Sequence, residues 1–263
     1  MTFVGIELDS IAMVKRLPFE KVEKIRDCLS RMKRKKKATL QELQSLMGLL
    51  NFACAVVVPG RAFLRRMIDL TMGLQQPHHK RRLTLDVRED LEAWSVFINT
   101  LNGISMMLPD RWDSSTALDL YTDASNIGFG GYFNDRYFAG VWPVDSVWHT
   151  LHITVKELFP LVLALELWGS LLQNKCIVFH SDIEAVVHII NKQSSKDKHL
   201  MKLVRRFVVK TLQHNVLCRA EHIPGSHNIL ADFLSRDQVD KYLRSCPANH
   251  PVLEPIPVDS LII

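Results

Sequence analysis

The run of apolar residues between Ala117 and Leu234 admits few folds. Three short β runs, Ala117 to Thr122, Gly128 to Phe133 and Tyr137 to Trp142, follow one another closely. Asn134-Asp135 supplies the turn between the last two, as an antiparallel meander requires. A long apolar segment, Glu157 to Leu172, then predicts a buried helix, although Pro160 interrupts it. Next come a strand, Cys176 to His180, and helices over Glu184 to Asn191 and His199 to His214. A strand from Val216 to His222, a Pro224-Gly225 turn and a helix from Asn228 to Leu234 close the pattern. The order βββαβααβα predicts an α/β fold with a mixed sheet flanked by helices over residues 111–236. The four prolines and absent periodicity of residues 237–263 predict a loosely ordered tail.

The first 110 residues read differently. Short strand patterns at Thr2 to Leu8 and Met13 to Leu17 precede Pro18, where a helix with Val22, Ile25, Cys28, Leu29 and Met32 on one face begins. Thr39-Leu-Gln-Glu42 is a capping-box signature ahead of Leu43, Leu46, Met47 and Leu50. Further helices are expected over Arg61 to Met72 and, capped by Asp86-Val-Arg-Glu89, over Val87 to Leu101. This region is expected to be mainly helical.

Charge divides the same way. Residues 1–110 hold 18 Lys and Arg against 12 Asp and Glu, and the remainder holds 15 against 16. A basic front half suits a grip on a polyanion, and a near-neutral rear half suits carboxylates bound to metal. Five cysteines with no Cys-x-x-Cys pair fit reduced thiols of a cytosolic or nuclear protein better than a disulfide framework. Cys218, His222 and His227 lack the fourth ligand of a structural zinc site. No segment has the ~18–20 apolar residues of a membrane span, and Glu7 and Asp9 stand where a signal peptide favours cations. Nucleus or cytoplasm is the expected location, without secretion.

Four carboxylates fall at the ends of predicted elements, where side chains leave the core for a shared cleft. They are Asp123 after the first strand, Glu157 at the start of the long helix, Asp182 after the fourth strand and Asp232 on the last helix. Each alone has an ordinary reading: a turn former for Asp123 or Asp182, a solvated position for Asp232, a capping box Thr154-Val-Lys-Glu157 for Glu157. Clustered, they repel one another unless protonated or neutralised, and hard divalent cations are the natural neutraliser.

Tyr121-Thr-Asp-Ala-Ser125 with Gly128-Phe-Gly-Gly131, Lys156-Glu-Leu158, His180-Ser-Asp182, and His222-Ile-Pro-Gly-Ser-His-Asn-Ile-Leu-Ala-Asp232 with Leu234-Ser-Arg236 together resemble the ribonuclease H domain of retroelement reverse transcriptases. Phe3-Val-Gly5 ahead of Leu17-Pro18 and Lys21 resembles the entry to a reverse transcriptase thumb and connection. Gly48-Leu-Leu-Asn51 and Pro59-Gly-Arg-Ala-Phe-Leu-Arg65 are most similar to DIRS-type retrotransposons. The resemblance implies a magnesium-dependent endonuclease that cuts the RNA strand of RNA–DNA hybrids. It implies two Mg²⁺ ions, with Mn²⁺ able to substitute, held by Asp123, Glu157, Asp182 and Asp232. It also implies a histidine for product release, for which His227 is the first candidate and His222 the second. A retroelement polymerase subunit is an expected partner beside the hybrid.

Two features depart from that pattern. The chain has no Asp-Asp pair, so the Tyr-x-Asp-Asp of a polymerase palm is absent and no polymerase activity is expected. Ile183 follows Asp182 where related sequences carry a polar residue. The reading frame starts within what resembles a polymerase, as in a truncated element copy or a host gene derived from one. The alternative to a nuclease is a non-catalytic nucleic-acid-binding relic of a reverse transcriptase.

Expected nucleic-acid contacts are Arg31, Lys33, Arg34, Lys35, Lys36 and Lys37, six cations in seven residues. A helix C-terminus favours the same charges without any ligand. Lys80-Arg-Arg82 extends the basic character, Lys192 and Gln193 are candidates in the rear half, and Trp148 is the one tryptophan placed to stack on a base.

Overall fold

The computed structural model describes residues 1–100, 104–106, 112–248 and 250–261. The chain divides into two compact units, Met1–Leu108 and Pro109–Ile263. The boundary expected at 110/111 lies outside the described residues.

In the first unit, strands β1 (Thr2–Phe3), β2 (Ile6–Asp9) and β3 (Val14–Arg16) form an antiparallel sheet extended by β6 (Ile104–Met106). Helix α1 (Phe19–Lys33) buries Val22, Ile25, Leu29 and Met32, the face read from its spacing, and packs on α4 (Leu85–Thr100). The capping box is present: Glu42 N–H donates to Thr39 Oγ1 at 3.2 Å, and Thr39 N–H donates to Glu42 Oε2 at 2.9 Å. It starts α2 (Leu40–Ala53). Three expectations are corrected here. The unit carries more strand than expected, because Lys37–Thr39 (β4) and Lys80–Arg82 (β5) pair as an antiparallel ribbon. The helix expected over Arg61 to Met72 is a 3-10 segment, Val58–Phe63, followed by a short α3 (Arg65–Thr71). Helix α4 begins two residues early, and the hydroxyl of Thr84, not Asp86, accepts from Val87 N–H at 3.3 Å.

The second unit is α/β. Strand β7 (Asp113–Ser114) and β8 (Leu120–Ala124) are two pieces of one segment, separated by a loop that ends at Asp119 in the left-handed region, φ 52°. Strands β8, β9 (Gly128–Phe133) and β10 (Arg136–Val141) form the expected meander, turning at Asn134 with φ 55°. Strands β7, β11 (Cys176–Ser181) and β12 (Leu217–His222) run parallel. Mixed strand directions and flanking helices give the α/β architecture expected from the sequence.

Helix α5 (Ile153–Trp168) begins four residues before its expected start and contains Pro160. Its cap is His152, whose Nδ1 accepts from Thr154 N–H at 3.2 Å, so Thr154 and Glu157 form no capping box. Pro160 forfeits one helical hydrogen bond, a loss of about 3 kcal/mol or more in an ordinary helix interior. Burial of Leu158, Phe159, Leu161, Val162, Leu163, Leu165 and Trp168 outweighs it, since each such side chain contributes about 1.5–3 kcal/mol.

Helices α6 (Glu184–Lys192) and α7 (Lys198–Gln213) follow β11, and α8 (Ile229–Ser235) follows β12. Residues 237–263 correct the expectation of a loose tail. Helix α9 (Val239–Ser245) buries Tyr242 between Tyr132 and Tyr137, and β13 (Val252–Leu253) pairs in parallel with β10. The prolines that hide periodicity do not prevent an edge strand from docking. Trp148 is also core: it stacks on Trp142 at 4.6 Å, and its indole N–H donates to Leu261 C=O at 2.9 Å. It is therefore unavailable for stacking on a base.

Candidate metal-binding carboxylate centre

Asp123 lies in β8, Glu157 in the second turn of α5, and Asp182 in the turn that ends β11. One carboxylate oxygen from each lies within 4.8 Å of the others. Asp123 and Glu157 are buried, whereas Asp182 faces the open side. These three of the four expected carboxylates come together. Asp232 does not join that group: its Oδ1 accepts from Arg236 Nε at 2.7 Å, although its charge still acts on Asp123 and Glu157.

Asp123 is fixed from both ends of α8. Asn228 Nδ2 donates to its Oδ1 at 3.2 Å and to Thr122 C=O at 3.0 Å. Ser235 Oγ donates to its Oδ2 at 2.5 Å, and the Ser235 carbonyl accepts from Ser125 Oγ at 2.7 Å. Helix α8 comes this close because β9 carries a glycine beneath it. A Cβ on Gly130 would lie 2.3 Å from Leu234 Cβ. Gly225 plays a similar part opposite Asp182, where a Cβ would lie 3.0 Å from Oδ2.

Asn228, Ser235 and Gly225 went unassigned on sequence. Each lies inside a matched motif, but a polar residue at a helix end reads equally well as a cap. Of the two histidines, His222 ties its Nε2 to the Asp182 backbone carbonyl at 3.0 Å. His227 is exposed in the 3-10 turn Gly225–His227, and among the described residues its side chain makes no hydrogen bond or ion pair. Ile183 precedes the first turn of α6, and its N–H donates to Ser181 Oγ at 3.2 Å.

Electrostatics follow from this crowding. Burial, then the charges of Asp123 and Asp182, pushes the Glu157 carboxyl up to about 9, against the Ala124 backbone hydrogen bond. Burial raises Asp123 to about 6; the Ser235 hydroxyl pulls it down and Asp182 pushes it up. Among the described residues no Lys or Arg forms an ion pair with Asp123, Glu157 or Asp182. The donor set fits a hard divalent cation: it offers only carboxylate oxygens, at close range, with two buried carboxyls that no cation pairs with among the described residues.

The nucleic-acid candidates are scattered. Lys33 pairs with Glu92 at 2.9 Å, Lys35 pairs with Glu42, and Arg31 donates to Cys28 Sγ at 3.2 Å. Arg34 caps α1, while Lys36 and Lys37 are exposed at the ribbon. Lys192 ends α6, and Gln193 closes it in the left-handed region, φ 50°.

No protein-family model and no curated protein matches the chain. Solved structures do. The N-terminal RNase H domain of a Mycobacterium tuberculosis protein, fused to maltose-binding protein, is 20% identical with a TM-score of 0.33; the match covers 48% of this chain and 94% of that one. A foamy viral protease-reverse transcriptase in complex with double-stranded DNA is 17% identical, TM-score 0.33, over 84% of this chain and 37% of that one. The foamy viral protease-reverse transcriptase in complex with RNA/DNA hybrid is 16% identical, TM-score 0.33, over 84% and 29%. The chain thus spans about a third of the viral enzymes it resembles. Among the described residues no helix is long and apolar enough to cross a membrane.

Proposed function

We propose that this chain is a retroelement-derived endonuclease of the ribonuclease H type, which hydrolyses the RNA strand of RNA–DNA hybrids and has no polymerase activity of its own. The observation that carries this reading is the meeting of Asp123, Glu157 and Asp182 from three separate elements, two of them buried and, among the described residues, without an ion pair to Lys or Arg. These three, with Asp232 at the rim, would hold two Mg²⁺ ions, Mn²⁺ substituting. When bound, such ions lower the pKa of a water and stabilise the leaving oxygen of a phosphodiester.

The remaining work falls to the chain itself. Asn228 and Ser235 keep both Asp123 oxygens in fixed directions, so the carboxylate presents its free lone pairs to the cleft without reorganising. Asp182 lies on the open side, where a phosphodiester can approach past the bare Cα of Gly225. The exposed His227, on the same turn, would assist the departure of product. In this reading the protein works in the nucleus or cytoplasm, beside a retroelement polymerase subunit, and its origin is a DIRS-type element.

The test is cleavage of a labelled RNA–DNA hybrid by the purified chain with magnesium or manganese, with Asp123→Asn/Asp182→Asn as the control. Cuts in the RNA strand that need metal and vanish in the control are expected. Hybrid retained but never cut would replace the nuclease with the non-catalytic binding relic.

A further inference from the structure

We infer that the β4–β5 ribbon of the first unit is a binding site for a nucleic-acid phosphate backbone, built by Lys37, Lys80 and Arg82. The site rests on the ribbon itself and would stand in either a nuclease or a binding relic.

The register decides which side chains share a face. Lys37 pairs with Arg82, Ala38 with Arg81 and Thr39 with Lys80 in an antiparallel ladder. Directly opposed residues, and residues two apart on a strand, lie on the same side. Lys37, Lys80 and Arg82 therefore project from one face with Thr39, while Ala38 is buried on the other. Lys37 and Arg82 stand directly opposite, where Cβ atoms are about 4.5–5.5 Å apart and like charges destabilise the pair.

Among the described residues no carboxylate pairs with Lys37, Lys80 or Arg82. Glu42, the acid of the adjoining capping box, is already taken by Thr39 N–H and by Lys35. Of the neighbouring cations, Lys33 is committed to Glu92, and Arg88 to the backbone carbonyls of Lys33 and Lys35.

The ribbon is nevertheless held firmly. Leu83 N–H donates to Lys36 C=O at 3.0 Å and Leu40 N–H to His79 C=O at 2.9 Å, and Ala38, Leu40 and Leu83 are buried. A rigid ribbon that keeps three unpaired cations on one face is preorganised for a polyanion, whose binding relieves the repulsion. The repeating phosphates of a nucleic acid match a row of cations, and the face carries no aromatic ring to read a base. The seven-residue basic run is thus divided: Lys33 and Lys35 are paired within the protein, and Lys37 joins Lys80 and Arg82 on the ribbon.

The experiment measures binding of a fluorescent RNA–DNA hybrid by anisotropy across a salt series. The full chain carries Asp123→Asn/Asp182→Asn, so that nothing is cut. On that background Lys37→Gln/Lys80→Gln/Arg82→Gln is compared with Arg65→Gln/Arg136→Gln/Arg219→Gln. The second set loses the same charge from cations paired with Asp69, Glu254 and Glu221. With about 0.7–0.9 log units of slope per phosphate contact, the ribbon variant should flatten the log–log salt dependence by about 2–3 units, and the control set by much less. Melting checks the fold: the ribbon variant should melt no lower than its parent, and sulfate should raise the parent's Tm more than the variant's. Equal slopes for parent and ribbon variant, equal losses in both triple variants, or retained binding to heparin with none to the hybrid would each overturn the site. Cleavage by the unsubstituted chain is scored separately. A bound, uncut hybrid with a ribbon-dependent slope sinks the nuclease and keeps this site; a cut hybrid with an unchanged slope does the reverse.

Discussion

Ser235 Oγ donates to Oδ2 of Asp123 at 2.5 Å, joining residues 112 positions apart through a contact wholly inside the second unit. A hydrogen bond to a charged group contributes about 1.5–3 kcal/mol, and outer partners of metal ligands typically change affinity about 10–100-fold. Ser235→Ala should therefore weaken Mn²⁺ binding, read by calorimetry, by about that factor, and destabilise the fold by about 1–3 kcal/mol. Ser235→Thr, which keeps the hydroxyl, should recover most of the affinity. Since this hydroxyl pulls the Asp123 carboxyl down, its loss should also move the Asp123 titration upward by NMR. Unchanged metal affinity in Ser235→Ala would make the contact structural only.

Glu157 makes the metal-free fold pH-sensitive. Its carboxyl rises from an ordinary 4.5 to about 9, chiefly through burial, so the folded chain holds that proton more tightly than the unfolded chain. The resulting stability is fully present below pH 4.5 and is lost as pH rises to about 9. One pKa unit corresponds to about 1.4 kcal/mol, so even part of this displacement is visible against a total of ~5–15 kcal/mol. In chelator, Glu157→Gln should melt above the parent at pH 8 and close to it below pH 4.5. Magnesium should close the gap by raising the parent alone, by about 2.7 kcal/mol at a hundred times its Kd. A variant that melts lower than the parent at both pH values would contradict the burial of an uncompensated charge.

Arg236 pairs with Asp232, the carboxylate that does not join the other three. Both side chains of the pair are well exposed, so the ion pair itself contributes only about 0.2–1 kcal/mol. Beyond that pair, the Arg236 charge also favours the ionised form of Asp123, as the smallest of the influences on that carboxyl. Arg236→Gln should leave the melting temperature in magnesium within a few degrees of the parent. It should also tighten Mn²⁺ binding measurably, as Asp232 is released and one competing positive charge is gone. Weaker metal binding in this variant would mean that Arg236 orients Asp232 and does not compete with the cation.

What the sequence made legible follows from how local each signal is. The capping box Thr39–Glu42, the meander turn at Asn134 and the buried stripe of α1 are short-range patterns, and all three are present in the structure. Three of the four carboxylates converge as their motifs implied. The start of α5 was hidden because Pro160 reads as a helix breaker, and only tertiary burial overrides it. The docking of β13 on β10 depends on a partner more than a hundred residues away, as the Arg136–Glu254 pair shows. The same is true of the clamp on Asp123 and of the ribbon, where Lys37 meets Arg82 only through pairing. Charge density along the chain could not separate Lys33, which is paired, from Lys37, which is not.

Gly130 tests whether the centre depends on the depth at which α8 sits. An added Cβ there would lie 2.3 Å from Leu234 Cβ and 3.0 Å from the Leu234 backbone, so α8 itself must move. Overpacking of this kind costs about 1–3 kcal/mol. Because Asn228 and Ser235 flank α8, the same movement draws both donors away from Asp123. Gly130→Ala should thus lose stability and metal affinity together, in chelator and in metal respectively. Gly48→Ala supplies the contrast, for a Cβ on Gly48 meets nothing within 4 Å in the middle of α2. It should stabilise the first unit by about 0.5–1 kcal/mol through helix propensity alone, with metal affinity unchanged. If Gly130→Ala kept full Mn²⁺ affinity despite a lower Tm, the donors would follow Asp123 as the helix shifts, and the depth of α8 would not set the site.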